Sequence, residues 1–143
     1  MQKIRLVFLA TTLFVGNVLA DQSTAMRMFG QCLVLKGVHM YTASWCPYCF
    51  AQLKEMDGSL KRSEMESHEK MSAFPFLVEC TGVEPYTIQK GCLPKGARGV
   101  PMWTFPRTPP LDEGGDAYTG GQLPLTDIAA YSGCPLPETK RAK

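Results

Sequence analysis

The stretch "MYTASWCPYCF", residues 40–50, contains two cysteines separated by two residues. The preceding run "LVLKGVHMYT", residues 33–42, is rich in branched and apolar side chains and predicts a β-strand. Pro47 favours the first turn of a helix, because its missing N–H would have no intrahelical partner there. We therefore predict a strand followed by a helix from about Cys46 to Met56, with one face formed by Phe50, Leu53 and Met56.

A Cys-x-x-Cys pair can bind a metal, staple the chain or react. A structural zinc site takes four ligands, usually as two close pairs. This chain has one close cysteine pair, and His39 and His68 stand in no ligand spacing. We expect no metal, and we expect both histidines to be structural or surface residues. A disulfide between such close cysteines restrains little of the unfolded chain, so a staple alone would be a poor use of the pair.

A reactive pair fits the local physics best. Cys46 would lie at a helix N-terminus, where unpaired N–H groups and the macrodipole stabilise a thiolate. Cys49, one turn further on, could then attack a mixed disulfide formed at Cys46. Trp45 and Tyr48 would flank the reactive sulfur with aromatic surface, although ordinary packing is the alternative for both. Together with Pro47 they are candidate substrate contacts.

The rest of the chain alternates helical and strand patterns. Pro124 is expected near the first position of a closing helix, and Gly133 at its C-terminal stop. The resulting order predicts a small α/β domain with a mixed sheet flanked by helices. The expected elements are a helix at 59–72, a strand at 74–80, a short helix at 84–92, a strand at 100–105, a loop at 107–116, a strand at 117–119 and a helix within 123–133.

The first twenty residues differ from the rest. Lys3 and Arg5 form a short positive region before an apolar run, residues 6–15, that is too short to span a bilayer. Small or modest side chains follow at 18–20, as at a signal-peptidase site. An uncleaved anchor is the alternative. We predict a secretory signal at 1–20, an N-terminal extension at 21–35, a folded domain at 36–134 and a disordered tail at 135–143.

The charge of the mature chain is balanced. Loss of Lys3 and Arg5 reduces the 15 basic residues to 13, equal to the 13 acidic residues. We therefore expect neither nucleic acid nor an anionic membrane as a partner. The six cysteines all follow residue 20, and an even number suits an exported protein in an oxidising compartment.

Several motifs together resemble the thioredoxin superfamily. The more specific resemblance is to the thioredoxin-like domain that accompanies bacterial and plant vitamin K epoxide reductase homologues, and it covers roughly residues 36–133. The matching motifs are "MYTASWCPYC" at 40–49, "LVEC" at 77–80, Cys92, "GVPMW" at 99–103, "YTGGQ" at 118–122 and "LTDIAAYSG" at 125–133.

The resemblance implies a thioredoxin-like fold and a periplasmic or lumenal thiol–disulfide oxidoreductase. Cys46 would be the attacking thiol and Cys49 the resolving thiol, and no cofactor is expected. Pro101 would follow a cis peptide bond and, with the Val100 backbone, orient an extended substrate by strand addition. The implied partners are protein thiols and disulfides, with a membrane quinone-linked oxidase of the vitamin K epoxide reductase type.

Three departures from the family pattern matter. Tyr48 replaces the usual histidine and supplies no positive charge beside Cys46, so a less oxidising pair is expected. Met40 stands where relatives often bury an acid, and the membrane oxidase domain would be a separate chain. Two other functions stay open. Cys-Pro-Tyr-Cys with Gly120-Gly121 also suits a glutaredoxin-like reductase, and the cysteines could instead stabilise a redox-inactive binding or chaperone module.

The other four cysteines allow two further bonds. Cys80 and Cys92 would close a short loop that is either structural or a second redox-active pair relaying to Cys46 and Cys49. Cys32 and Cys134 remain, and their pairing would close a loop of about 100 residues. The sequence does not prove this connectivity.

Overall fold

The computed structural model describes residues 22–106 and 117–138. The predicted secretory signal, the predicted loop at 107–116 and residues 139–143 of the predicted tail lie outside these ranges. None of the helices in the described ranges is long and apolar enough to cross a bilayer. The elements are α1 (Gln22–Leu35), β1 (His39–Thr42), α2 (Pro47–Met56), a 3-10 helix (Arg62–Glu64), α3 (His68–Met71), β2 (Leu77–Glu79), β3 (Met102–Phe105), β4 (Ala117–Gly120) and α4 (Leu125–Ser132).

The strands form one mixed sheet in the order β2-β1-β3-β4. β1 pairs in parallel with β2, placing Met40 opposite Leu77, and antiparallel with β3, placing Met40 opposite Trp103. β3 pairs antiparallel with β4, with Trp103 opposite Thr119. The predicted α/β class and mixed sheet are confirmed.

The helix α1 occupies much of what was predicted as an extension and the start of a strand. Met26, Phe29 and Leu33 are buried at helical spacing, so one face of α1 joins the core. Gly37, at φ +71°, turns the chain after the helix, and β1 begins only at His39. The prediction of a strand over 33–42 was therefore wrong at its first six residues.

The helix predicted at 59–72 is instead a 3-10 turn and the single-turn helix α3. Leu60 and Met65 are both buried, but they are five residues apart and do not share one face of an α-helix. Ser67 begins a new helix by accepting a hydrogen bond from the Lys70 N–H at 3.4 Å. The chain thus restarts rather than continuing as one helix.

The short helix predicted at 84–92 is absent, and a disulfide-closed loop takes its place. Residues 83–87 are exposed, so they present no apolar face that a helix could bury. The loop is held by a bridge between Thr81 and Ile88 and by the Gln89 N–H, which donates to the Cys80 carbonyl at 2.7 Å. We call residues 80–92 the Cys80–Cys92 loop.

The closing helix α4 is preceded by Pro124, which is its N-cap rather than its first helical residue. Gly133 ends α4 in the left-handed conformation, at φ +69°. Leu136 is buried in the core, so the folded domain extends into the segment predicted as a disordered tail.

The core is centred on aromatic rings that run across the sheet. Trp103 is fully buried and lies between Phe76, at 5.7 Å between ring centroids, and Phe105, at 6.1 Å. Phe74 and Tyr131 extend the row at its two ends. Because β1 and β3 are central strands packed on this row, the loops that follow β1 and precede β3 have a rigid base.

Candidate functional site

The Cys-x-x-Cys pair lies at the start of α2 and is joined in a disulfide. Cys46 is the N-cap residue, and its Cα lies 5.3 Å from that of Cys49. The Cys49 backbone N–H donates to Cys46 Sγ at 3.1 Å. A reduced Cys46 would therefore receive an N–H hydrogen bond together with the positive end of the helix dipole, and both favour its thiolate.

The two sulfurs are not equivalent. The side chain of Cys49 is completely buried within the core, whereas Cys46 retains a small exposed fraction of 2%. Cys46 is also the residue at the end of the loop, preceded by the half-buried Trp45 and followed by the exposed Pro47. Both cysteines are thus buried, and the exposed Pro47 lies directly beside Cys46; the attacking and resolving roles of the two thiols stay predictions.

The segment before β3 lies directly against this pair. The Val100 carbonyl oxygen is 3.6 Å from Cys46 Sγ, and the Val100–Pro101 peptide bond is cis. Pro101 is buried, and its carbonyl accepts a hydrogen bond from the Gly121 N–H at 2.8 Å. The structure thus brings Cys46 together with the Val100–Pro101 segment, although Cys46 and Val100 are 54 residues apart in the sequence.

The aromatic residues around Cys46 differ in their surroundings. Tyr48 is 66% exposed, so its ring is available to another molecule. Trp45 is half-buried: its indole N–H donates to the Thr87 carbonyl at 3.0 Å, and its ring meets that of Tyr86 edge-on at 6.1 Å. Trp45 is therefore fixed by the Cys80–Cys92 loop, and Tyr48 is not fixed by any ring contact among the described residues.

The Cys80–Cys92 loop adds residues to the site that the sequence did not indicate. The two Cα atoms of its disulfide are 5.7 Å apart. Tyr86 is 78% exposed and, among the described residues other than glycine, it alone has a positive φ, of 60°. Such a conformation is unusual for an aromatic residue and holds its ring beside Trp45. The loop also contacts the approach to α2, because the Ser44 N–H donates to Thr81 Oγ1 at 2.8 Å.

An arginine side chain forms hydrogen bonds with the backbone of the turn that contains Trp45 and Cys46. Arg62, in the 3-10 helix, donates from Nη1 to the Cys46 carbonyl at 2.7 Å and from Nη2 to the Trp45 carbonyl. Its guanidinium also lies 5.7 Å from the centroid of the Phe50 ring, and the Lys54 ammonium lies 5.5 Å from the same centroid. The positive charge that Tyr48 does not supply is present near Cys46 from another part of the chain.

The helix α2 is anchored at its buried face by an amide. Gln52 is fully buried, and its Nε2 donates to the Leu123 carbonyl at 3.0 Å while its Oε1 accepts from the Leu123 N–H at 2.7 Å. This pair of bonds ties the middle of α2 to the segment before α4. The cysteines are therefore carried on a helix that is fixed from both its N-terminus and its buried side.

The remaining cysteines pair as Cys32–Cys134, with Cα atoms 5.9 Å apart, so all six form disulfides in the structure. His39 and His68 are both exposed. Residues 22–106 and 117–138 contain no group of three or more His, Cys, Asp or Glu that could hold a metal ion.

A groove of about 440 Å³ borders the site without including either cysteine of the pair. Its apolar lining includes Met65, Met71 and Phe74, and it reaches the site through Ser44 and Thr81. It is a neighbouring surface, and neither Cys46 nor Cys49 lines it.

Compared with known proteins, the chain matches no protein-family model and no curated sequence. The features of this chain that bear on function are therefore the geometry of the disulfide and of its neighbours. Short sequence motifs indicated Cys46, Cys49 and Pro101, whereas Arg62, Tyr86 and Thr87 join the site through tertiary contacts that carry no motif. Arg62 lies among other charged residues at 61–70, and nothing in the sequence distinguished it from them.

Proposed function

We propose that the protein is an exported, thioredoxin-like thiol–disulfide oxidoreductase that exchanges disulfides with protein substrates through Cys46 and Cys49. The observation that carries the proposal is the disulfide at the first turn of α2, with the Cys49 N–H on Cys46 Sγ and the Val100 carbonyl beside it. A mixed sheet with the pair after β1 and Pro101 before β3 supports the thioredoxin-like assignment. A periplasmic or similar lumenal compartment would supply the oxidising conditions.

The exchange proceeds in two balanced steps. A substrate thiolate attacks Cys46 Sγ, the Cys46–Cys49 bond breaks, and Cys49 leaves as a thiolate that takes up a proton. A second substrate thiolate then attacks the substrate sulfur of the mixed disulfide and expels Cys46. The substrate loses two electrons, which Cys46 and Cys49 gain. Of the two protons that the substrate thiols release, one goes to Cys49 and the other goes to solvent while Cys46 stays a thiolate. A separate oxidant, a disulfide or a quinone-linked membrane oxidase, would restore the Cys46–Cys49 bond.

The test replaces Cys46 by serine. Wild type should form disulfides in a reduced, unfolded test protein, and Cys46→Ser should form none, because the Cys46–Cys49 disulfide that the substrate attacks can no longer form. Equal behaviour of the two proteins would favour the redox-inactive binding module instead. Cys49→Ala should accumulate mixed disulfides with protein substrates, and failure to trap any would contradict protein substrates.

The reduction potential of the Cys46–Cys49 pair decides the direction of transfer. A value near about −120 mV corresponds to an oxidase, and one near about −270 mV to a reductase. Equilibration with glutathione buffers of known ratio, followed by alkylation and mass measurement, gives this potential directly.

A glutaredoxin-like reductase is the second candidate. The Gly121 N–H donates to the Pro101 carbonyl, which places the Gly120-Gly121 pair beside the Val100–Pro101 segment. If this alternative holds, Cys49→Ser should still remove glutathione from a glutathionylated peptide, since such a reaction needs only Cys46. Loss of that activity in Cys49→Ser, with disulfide transfer retained by wild type, would exclude it.

A further inference from the structure

The Arg62 guanidinium forms hydrogen bonds directly with residues 45–46, which begin the turn that carries the cysteine pair; we call residues 45–49 the reactive turn. The guanidinium donates to two successive carbonyls, those of Trp45 and Cys46, and the Cys46 carbonyl also accepts the first hydrogen bond of α2, from the Phe50 N–H at 3.2 Å. A planar guanidinium can bridge two acceptors in this way, whereas an ammonium acts as a point charge. Arg62 therefore holds the backbone on both sides of the Cys46 Cα.

The charge of Arg62 is not neutralised by a carboxylate within residues 22–106 and 117–138. The ion pair in these ranges joins Lys70 to Glu64, and Glu64 also accepts from the Lys61 N–H. Lys54 is a second cation near the turn. Its ammonium lies 5.5 Å from the centroid of the Phe50 ring, and among the described residues it makes no hydrogen bond to the Trp45 or Cys46 carbonyl. The Arg62 guanidinium, bound to the Cys46 carbonyl, can therefore interact with a charge on the Cys46 side chain.

From these contacts we infer that Arg62 is a positioning residue of the Cys46–Cys49 centre, which holds the Trp45–Cys46 backbone and stabilises Cys46 as a thiolate after reduction. The inference rests on the proposed function and deepens it. A nearby opposite charge favours the ionised form of a titrating group, and Arg62 Nη1 lies 2.7 Å from the carbonyl oxygen of Cys46. Since the thiolate belongs to the reduced protein, Arg62 would shift the equilibrium toward reduction and make the disulfide a stronger oxidant.

The experiment compares Arg62→Gln with wild type in the full mature chain. In the reduced protein, the ultraviolet absorbance of the thiolate as a function of pH should give a Cys46 pKa that is higher in the variant by roughly one unit. The equilibrium constant for reduction by glutathione should fall by a few-fold to about tenfold at neutral pH. A purely structural role would change the melting temperature without moving either of these two quantities.

Two matched variants complete the test. Lys54→Gln removes the other cation over Phe50, and it should leave the Cys46 pKa and the glutathione equilibrium unchanged. Arg62→Lys keeps the charge but not the planar bridge, and it should restore at least half of the lost pKa shift. Equal shifts in Arg62→Lys and Arg62→Gln, or in Lys54→Gln and Arg62→Gln, would overturn the electrostatic role of Arg62.

The outcomes also separate this inference from the proposed function. If wild type transfers disulfides and Arg62→Gln has an unchanged pKa and equilibrium constant, the role of Arg62 is wrong and the proposed function stands. If wild type itself transfers no disulfides, the proposed function fails, whatever the Cys46 pKa in the variant.

Discussion

At the scale of single residues, Gln52 shows how one buried polar side chain supports the site. It is fully buried on α2, and both polar atoms of its amide are paired with the backbone of Leu123. Buried polar groups are stable only while paired, so a change at Gln52 also affects the two backbone groups that it satisfies.

We expect Gln52→Leu to lower the free energy of unfolding by about 2 kcal/mol, because the Leu123 N–H and carbonyl lose their partners in a partly buried position. Urea unfolding monitored by circular dichroism measures this change. Gln89→Leu is the control, since Gln89 is exposed, and it should stay within about 0.5 kcal/mol of wild type. A cost for Gln52→Leu no larger than that of the control would contradict the role of the amide.

Glu64 gives the 3-10 helix that carries Arg62 a pH dependence. Its carboxylate accepts from the Lys61 N–H at 2.8 Å and pairs with Lys70 at 3.5 Å. The Lys61 hydrogen bond, assisted by the Lys70 charge, holds the pKa of Glu64 below its usual range. The resulting stabilisation is fully present above the pKa of an unfolded glutamate, about 4.3, and is lost as the pH falls through the lower folded pKa.

We therefore expect Glu64→Gln to melt at a lower temperature than wild type at pH 7, and the difference to shrink steadily as the pH falls from about 5 to 3. Thermal melts across this range provide the measurement. Glu69→Gln, at an exposed carboxylate in α3, should show a smaller difference at pH 7. A Glu64→Gln difference that is the same at pH 7 and pH 3 would be inconsistent with this account.

Some residues of the site could be predicted from a local sequence pattern, and others could not. Cys46, Cys49 and Pro47 are neighbours in one turn, so a local pattern could predict that they act together. The approach of Val100 to Cys46 was predicted only through a family resemblance. Arg62 and Tyr86 reach the turn by folding, and a solvent-exposed charge or aromatic residue in a loop has no sequence pattern that indicates its neighbour.

At the scale of elements, the sequence predicted well wherever local and tertiary preferences agree. Pro47 begins α2 and Gly133 ends α4, since both act through their own backbone conformation. The segments at 33–38, 59–72 and 84–92 were mispredicted because their structure depends on what they bury. Apolar residues at 33–35 suit a strand or a helix equally, and only packing of α1 decides between them.

The two long-range disulfides allow a prediction about the elements that they join. Cys80 and Cys92 are 12 residues apart, and Cys32 and Cys134 are 102 apart. By loop-closure entropy, replacing the first pair with alanine should cost about 3 kcal/mol and replacing the second about 4 to 5 kcal/mol. Urea unfolding of the two double variants, under conditions that keep the Cys46–Cys49 pair oxidised, tests the order.

The same double variant of Cys80 and Cys92 should also release Trp45, because Tyr86 and Thr87 belong to the loop that the disulfide closes. Acrylamide should quench its fluorescence more than in wild type, while the buried Trp103 stays protected. Unchanged quenching would show that the loop keeps its contact with Trp45 unaided. The Cys32 and Cys134 double variant is the control for a general loss of stability.

At the scale of the whole molecule, α1 is part of the core and not an appendage. Phe29 has an exposed fraction of 2% and contributes a complete aromatic side chain to the packing around the sheet. Met28 is its neighbour on the same helix, with an exposed fraction of 64%. Comparing substitutions at Phe29 and Met28 therefore distinguishes the effect of losing a buried side chain from the effect of changing the helical propensity of α1.

We expect Phe29→Ala to lower the free energy of unfolding by about 3 to 4 kcal/mol, through lost apolar burial and the cavity that remains. Met28→Ala should change it by less than about 0.5 kcal/mol. Both values come from chemical denaturation of the oxidised protein. Similar small effects for the two variants would mean that α1 contributes little to the stability of the domain.

The Cys32–Cys134 bond has a consequence for proteolysis. It joins α1 to the segment after α4, so nearly the whole domain lies within one covalent ring. The turn at Gly58 and Ser59 is exposed, and a single cut there would leave one fragment with Cys32 and the other with Cys134. The nicked protein would migrate as one species on a non-reducing gel and as two after reduction. Because the disulfide keeps the two fragments covalently joined, their refolding would be intramolecular and independent of protein concentration.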